Sequence, residues 1–260
     1  MYDGVLRLPM PANVHVTGFA DDVAITIVAK TIAEVEDMAN TAYFMPPRYG
    51  LKTPSYMSGV ARTHRLCATR ISCAFRTISE EAALVMADLV LVQELVREAA
   101  EVLDQSRREA RRPAREGSIS RWQERWDSST SGCWTHALIT VLSPWLERRH
   151  GQVDFYLTQI QSGHGCFRSY LKKYGHDTSD GCPSCGSGIE EDARHVLFEC
   201  VRFVEDRAAL ESGTGVSTSP STLVQTMLRG QMERDATAKF TASVMRKLRI
   251  AERERRGLDT

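Results

Sequence analysis

Three cysteines and a histidine constrain the fold of this chain more than any other feature. Cys182-Pro183-Ser184-Cys185 is followed by nine residues, His195, four residues and Cys200, a C-x2-C-x9-H-x4-C pattern. At that spacing four donors can close on one tetrahedral ion, so the backbone around them has to double back. Cys-x-x-Cys puts two thiolates on one tight turn, and the small residues from Ser184 to Gly188 can wrap the ion. A short helical segment from Arg194 to Glu199 would swing His195 and Cys200 back to complete the set. Four protein ligands leave no position for a substrate water, so the expectation is structural Zn²⁺ on Cys182, Cys185, His195 and Cys200. The competing reading is a set of reduced core cysteines, the role expected of Cys67, Cys73, Cys133 and Cys166. Seven cysteines is an odd count, which disfavours a disulfide framework.

A second signal lies near the start. Gly18-Phe19-Ala20-Asp21-Asp22 sits between Val14-His15-Val16-Thr17 and Val23-Ala24-Ile25-Thr26-Ile27-Val28, two β-prone runs that read as a hairpin. Carboxylates at such a tip can present hard oxygen ligands to Mg²⁺, as two-metal phosphoryl or nucleotidyl transfer requires. Asp-Asp is equally ordinary turn chemistry, because Asp bonds its own backbone and tolerates the left-handed conformation. Both readings stand on these residues alone.

Charge narrows the classes without deciding among them. The 33 basic and 33 acidic residues cancel, which argues against binding nucleic acid by bulk electrostatics. Locally, Arg107, Arg108, Arg111, Arg112, Arg115, Arg121 and Arg125 outnumber their acidic neighbours, and Arg246, Lys247, Arg249, Arg253, Arg255 and Arg256 crowd the other end. Either stretch reads as a phosphate-contacting stripe or as a solvated helix face with i to i+4 partners. No run approaches the ~18 to 20 apolar residues of a membrane span, and no signal peptide opens the chain; the expectation is a soluble intracellular protein without a membrane partner.

After the hairpin the period shifts from two to 3.6. Thr31 and Glu34 form a capping box ahead of Ile32, Val35, Met38, Ala39 and Ala42, and Pro46, Pro47, Gly50, Pro54 and Gly59 then suggest a loop. Val60, His64, Cys67, Ile71, Ala74 and Phe75 form an apolar stripe, and Ser79 or Glu80 opens another helix. Asp88 is expected to cap a longer one carrying Leu89, Val92, Val96, Ala99 and Leu103, running as far as Pro113. Trp122 and Trp126 share a helical face, as do Trp134, Ala137, Leu138 and Val141, and packing explains them better than base stacking. Val201 to Leu210 continues a helix, Gly213 to Pro220 is a linker, and two last helices carry Leu223, Val224, Met227 and Leu228, then Met232, Ala236, Phe240, Val244, Leu248 and Ala251.

The run Gly163-His164-Gly165-Cys166-Phe167-Arg168-Ser169-Tyr170-Leu171, preceded by FYLTQ and followed by C-x2-C and EDARHVLFEC, resembles the C-terminal region of non-LTR (LINE-type) retrotransposon polyproteins. The ribosomal-DNA-targeting subgroup is the best match. GFADDVAI resembles the polymerase palm motif of the same family, and RLCATRISCAFRTISEEA the connector beyond its thumb. With WQERW, the resemblance covers most of residues 14 to 210.

The resemblance implies an RNA-directed DNA polymerase working by two-metal catalysis, with Asp21 and Asp22 at the matching positions and Mg²⁺ as their cofactor. It implies an RNA template and target DNA as partners, a nucleic-acid-binding zinc knuckle, and nuclear localisation, the alternative being cytoplasmic. Such a polymerase also takes a carboxylate from an earlier strand, yet only 17 residues precede Gly18 and Asp3 is the sole acid among them. The interval after residue 42 is also too short for the rest of a palm and a thumb. The expectation is a truncated, internally deleted fragment, inactive alone; the alternatives are a non-catalytic zinc-knuckle RNA- or DNA-binding module and a decayed relic. The expected fold class is α+β, helix-dominated, with a small palm hairpin remnant and a helical C-terminal region carrying the knuckle. The expected divisions are 1–45 partial palm, 46–57 junction, 58–175 helical connector, 176–212 knuckle region and 213–260 linker and last helices. Oligomerisation is left open.

Overall fold

A computed structural model describes residues 14–19, 22–27, 54–104, 107–148, 150 and 153–257. Asp21, the Thr31 to Ala42 helix and the interval from Pro46 to Gly50 lie outside them. The elements in chain order are β1 (Val14–Phe19), β2 (Asp22–Ile27), α1 (Pro54–Ile71), α2 (Glu80–Met86), α3 (Val92–Asp104), α4 (Arg107–Asp127), α5 (Cys133–Leu138), α6 (Leu142–Glu147), α7 (Phe155–Ser162), α8 (Arg168–Lys173), β3 (Gly181–Cys182) and β4 (Gly186–Glu190). A π-helical turn (His195–Glu199), a 3₁₀ turn (Val201–Phe203), α9 (Val204–Thr214), α10 (Pro220–Arg229) and α11 (Gln231–Arg255) follow. The described residues are therefore helix-dominated, with two two-stranded sheets. They divide into two compact units, residues 1–64 with 92–118 and residues 65–91 with 119–260.

In the first unit β1 and β2 pair antiparallel from Val14 opposite Ile27 to Phe19 opposite Asp22, the hairpin that the alternating valines predict. α1 begins at Pro54, earlier than the expected loop end at 57, because proline at a first helical position forfeits only an N–H that has no intrahelical partner. α3 and the start of α4 are tied by Arg115 to Glu98 at 3.3 Å and by the Ser118 hydroxyl donating to the Glu94 carbonyl at 3.4 Å.

The second unit holds the larger core. Trp122, Trp126, Trp145, Phe167 and Phe203 are completely buried, among Leu84, Met86, Ile139, Leu142, Leu157, Ile160 and Leu197. Burying an indole leaves its N–H in need of an acceptor. Trp126 donates to the Ile139 carbonyl at 2.8 Å and Trp145 to that of Val85 at 2.7 Å. α2 is capped by the Ser79 hydroxyl, which accepts from the Ala82 N–H, and six of its seven residues are buried. α10 opens with Pro220 behind a Ser219/Thr222 capping box. α11 lays Thr237, Phe240, Thr241, Val244, Met245 and Leu248 against α7, α9 and α10, a run at i, i+3, i+4, i+7, i+8 and i+11.

Four expectations shift. The buried positions on α1 and just beyond are His64, Ala68 and Ser72, whereas Cys67, Ile71 and Phe75 are exposed. Ser72 tolerates burial because its hydroxyl donates to the Ala68 carbonyl at 2.7 Å. Asp88 does not open the next helix: at φ 57° it closes α2, and its carboxylate accepts from Arg148 at 2.6 Å, while α3 starts at Val92. Pro113 does not end a helix but lies inside α4, after a separate α3 has stopped at Asp104. Cys133 is exposed along with Cys67 and Cys73, and Cys166 is half-buried, so these four are not core cysteines.

Candidate metal centre

The knuckle is built in two halves. The first is a tight β3–β4 hairpin in which Cys182 pairs with Gly186 and Cys185 sits in the turn. Gly186 takes φ 114°, a region that side chains disfavour. The second half is the π-helical turn, whose entrance is fixed by Asp192 accepting the His195 backbone N–H at 2.7 Å. Its defining bond runs from the Cys200 N–H to the His195 carbonyl at 2.7 Å, five residues apart. An α-helix, at 3.6 residues per turn, would set residues five apart about 140° apart around its axis. The wider π turn brings His195 and Cys200 toward one side.

The four side chains meet as the spacing predicts. Their donor atoms all lie within 4.8 Å of one another, and the Cys200 sulfur is 3.7 Å from those of Cys182 and of Cys185. A tetrahedral ion with metal–sulfur bonds of about 2.3 Å holds its sulfurs about 3.8 Å apart, so the cluster has the right size for one. The imidazole supplies an independent indication: His195 is buried and neither ring nitrogen has a hydrogen-bond partner. Buried polar atoms without partners are uncommon, and a metal ion would satisfy one of these. The Glu199 carboxylate lies 3.6 Å from Nδ1, too far for a hydrogen bond.

The free thiols are pulled in opposite directions. Burial pushes Cys200 up to about 12, reinforced by the neighbouring thiols. The Val201 N–H lowers Cys185. A bound cation would overcome the rise at Cys200 and reinforce the lowering at Cys185, because it selects the thiolates.

Around the cluster the chain is cross-braced by charged groups. Arg168 makes a two-pronged contact with Asp177 at 3.1 Å on each arm, and donates to the Gly181 carbonyl at 2.8 Å, next to Cys182. Arg255 of α11 also reaches Asp177, at 3.3 Å. Arg207 donates to the Cys200 carbonyl at 2.8 Å, and Arg202 pairs with the fully buried Glu191 at 3.3 Å. Sequence spacing could not reveal these braces, because the partners come together only through tertiary folding.

The Gly163 to Leu171 motif is the platform from which Arg168 reaches. Gly163 ends α7 in the left-handed conformation at φ 69°, where a Cβ would lie 3.1 Å from Trp134. Gly165, at φ 152°, passes so close to Gln159 and Met245 that a Cβ would sit 2.5 and 2.9 Å from them. His164 stacks on Tyr170 at 4.7 Å, and burial lowers its pKa to about 4.

Asp22 opens β2 opposite Phe19, and Asp21 is outside the described residues. Among the described residues, Cys182, Cys185, His195 and Cys200 are the group of His, Cys, Asp and Glu close enough to share an ion. Several of the arginines suspected as phosphate stripes are already paired, Arg112 with Glu116, Arg115 with Glu98, Arg125 with Glu81, Arg255 with Asp177 and Arg256 with Glu252. Among the described residues no helix is long and apolar enough to cross a membrane.

Four curated proteins are similar to the chain, all retrovirus-related Pol polyproteins of type-1 retrotransposable elements. The element R1 2 polyprotein of Nasonia vitripennis is 34% identical over 95 residues, covering 36% of this chain and 23% of the relative. The R1 polyprotein of Popillia japonica is 28% identical over 110 residues, 42% of each. That of Bradysia coprophila is 33% identical over 86 residues, 33% of this chain and 8% of the relative. The resemblance to non-LTR retrotransposon polyproteins is thus borne out by relatives of a single kind, and the chain spans less than half the length of each of these relatives. No family model and no solved structure matches it.

Proposed function

We propose that this chain is a piece of a non-LTR retrotransposon polyprotein whose second unit is a nucleic-acid-binding module pinned by structural zinc. The observation that carries the reading is the convergence of three thiols and one unpartnered imidazole within 4.8 Å. That donor set suits Zn²⁺ and, with four protein ligands, leaves no site for a reacting water. Cys182, Cys185, His195 and Cys200 hold the ion; Arg168, Arg202 and Arg207 hold the backbone that carries them. The ligands of the module are RNA and target DNA, engaged in the nucleus. Purified chain should bind single-stranded RNA with an affinity that falls steeply with salt, as phosphate contacts require. Cys185→Ser should lose both zinc and that binding; zinc loss with binding intact would refute a role for the knuckle in recognition.

A second reading concerns the hairpin. The pairing that ends with Phe19 opposite Asp22 supports a palm-type tip, and Asp21 and Asp22 would be Mg²⁺ ligands for nucleotidyl transfer. Primer extension on an RNA template tests it: this chain should be inactive alone, and synthesis that disappears with Asp21→Ala/Asp22→Ala would instead make it a polymerase.

A further inference from the structure

Five aromatic rings of the second unit lie in an unbroken row. Tyr156 and Phe155 are 5.6 Å apart between centroids, Phe155 and Phe75 6.4 Å, Phe75 and Tyr170 6.0 Å, and Tyr170 and Tyr174 4.8 Å. The row joins three segments distant in sequence, the chain after α1, the start of α7, and α8. It does not belong to the core: Phe75 is 38% exposed, Phe155 43% and Tyr174 38%. Its middle is held fixed, because the Tyr170 hydroxyl is 2.8 Å from that of Thr77 and His164 stacks on the Tyr170 ring. Each end carries a cation. Arg246 lies 5.4 Å from the Tyr156 centroid and Lys173 5.9 Å from that of Tyr174. Both cations are exposed and have no carboxylate partner among the described residues, unlike Lys247 and Arg255 on the same helix as Arg246.

We infer that this row is a stacking surface for single-stranded nucleic acid. Bases stack on aromatic faces whatever their identity, and cations at the edges of such a row meet the phosphates that join the bases. An apolar partner protein would need the rings but not the two unpaired cations at its ends. Charge therefore favours a polyanion. The surface is distinct from the metal cluster, and the inference rests on the proposed nucleic-acid-binding role.

The test is binding of fluorescein-labelled oligouridylate, oligothymidylate and a duplex of equal length to the zinc-loaded full chain, across a salt series. Phe155→Leu and Tyr174→Leu keep apolar bulk and remove the aromatic face, while Tyr174→Phe keeps the face. Each leucine variant should weaken single-strand binding, within the roughly 5- to 150-fold that stacking of one base represents, and leave the salt slope unchanged. Tyr174→Phe should bind as the parent does, and Lys173→Ala/Arg246→Ala should flatten the slope. Oligouridylate and oligothymidylate should respond alike. Zinc content and circular dichroism check that each variant is folded. Salt-sensitive parental binding that the leucine variants leave intact would overturn the stacking surface and spare the proposed function. No parental binding to any strand would overturn both, and equal loss on duplex would assign the rings to folding.

Discussion

The knuckle and the face that runs along α1 are both marked by cysteines, and the fold treats them in opposite ways. In the knuckle, Cys182 and Cys200 are buried and share a cluster with Cys185 and His195; on and just beyond α1, Cys67 and Cys73 are exposed with no such group around them among the described residues. The difference lies in what each spacing demands. Four donors separated by two, nine and four residues admit few backbone paths that satisfy a tetrahedron, so chemistry fixes geometry. An amphipathic stripe only asks that one side of a helix be more apolar than the other, and a serine with an internal hydrogen bond can replace a cysteine at the interface.

The sharpest way to break this comparison is to remove one cysteine from each side. Cys200→Ser should abolish metal binding and lower the melting temperature by about 10 °C or more, since loss of a structural metal is among the few single changes worth over ~4 kcal/mol. Cys67→Ser should move it by about 2 °C or less, as an exposed substitution does. Calorimetry of the two variants decides the point, and equal shifts would erase the contrast.

Native thiol labelling followed by peptide mass analysis sharpens it. Cys67, Cys73 and Cys133 should react within minutes, and the knuckle cysteines only after a chelator is added. Cys166 should stay slow in both conditions. Burial and its contact with Glu252 push that thiol up to about 12, so almost no thiolate is present at neutral pH.

The braces give a smaller effect. Arg168→Lys keeps the charge but cannot span both oxygens of Asp177 and still reach the Gly181 carbonyl. It should cost about 1–2 kcal/mol and weaken zinc affinity, read by competition with a chelator. An unchanged zinc affinity would detach the Gly163 to Leu171 motif from the knuckle.

His164 should show its effect only in acid, and so give the smallest change at neutral pH. Its pKa of about 4 lies below the ordinary 6.5, so the unfolded chain takes up a proton between those values that the folded chain refuses. Its contribution to stability is thus fully present above about pH 6.5 and is lost as pH falls toward 4. His164→Gln should flatten that part of the denaturation profile relative to the parent; parallel profiles would contradict the assignment.

The same contrast explains what could be read from the sequence. The convergence of Cys182, Cys185, His195 and Cys200, the hairpin, the Trp122/Trp126 face and the last two helices were legible because each is encoded by local spacing. The π turn was legible only as a short helical segment. Arg168, Asp177 and Arg207 were not legible as braces, because their partners are joined by tertiary contacts. Pro113 and Asp88 misled because each is common at helix ends: Pro113 lies on the exposed side of α4 without ending it, and Asp88 closes α2 and pairs with Arg148 instead of opening α3. The aromatic row escaped for the most tertiary reason, since its five rings come from three separate segments.

The central claim, that Cys182, Cys185, His195 and Cys200 hold one structural zinc ion, is tested most directly by metal analysis joined to X-ray absorption at the zinc edge. The account predicts one zinc per chain with three sulfurs at about 2.3 Å and one nitrogen at about 2.0 Å. Metal well below one equivalent after zinc loading, or a shell of oxygen ligands, would contradict it.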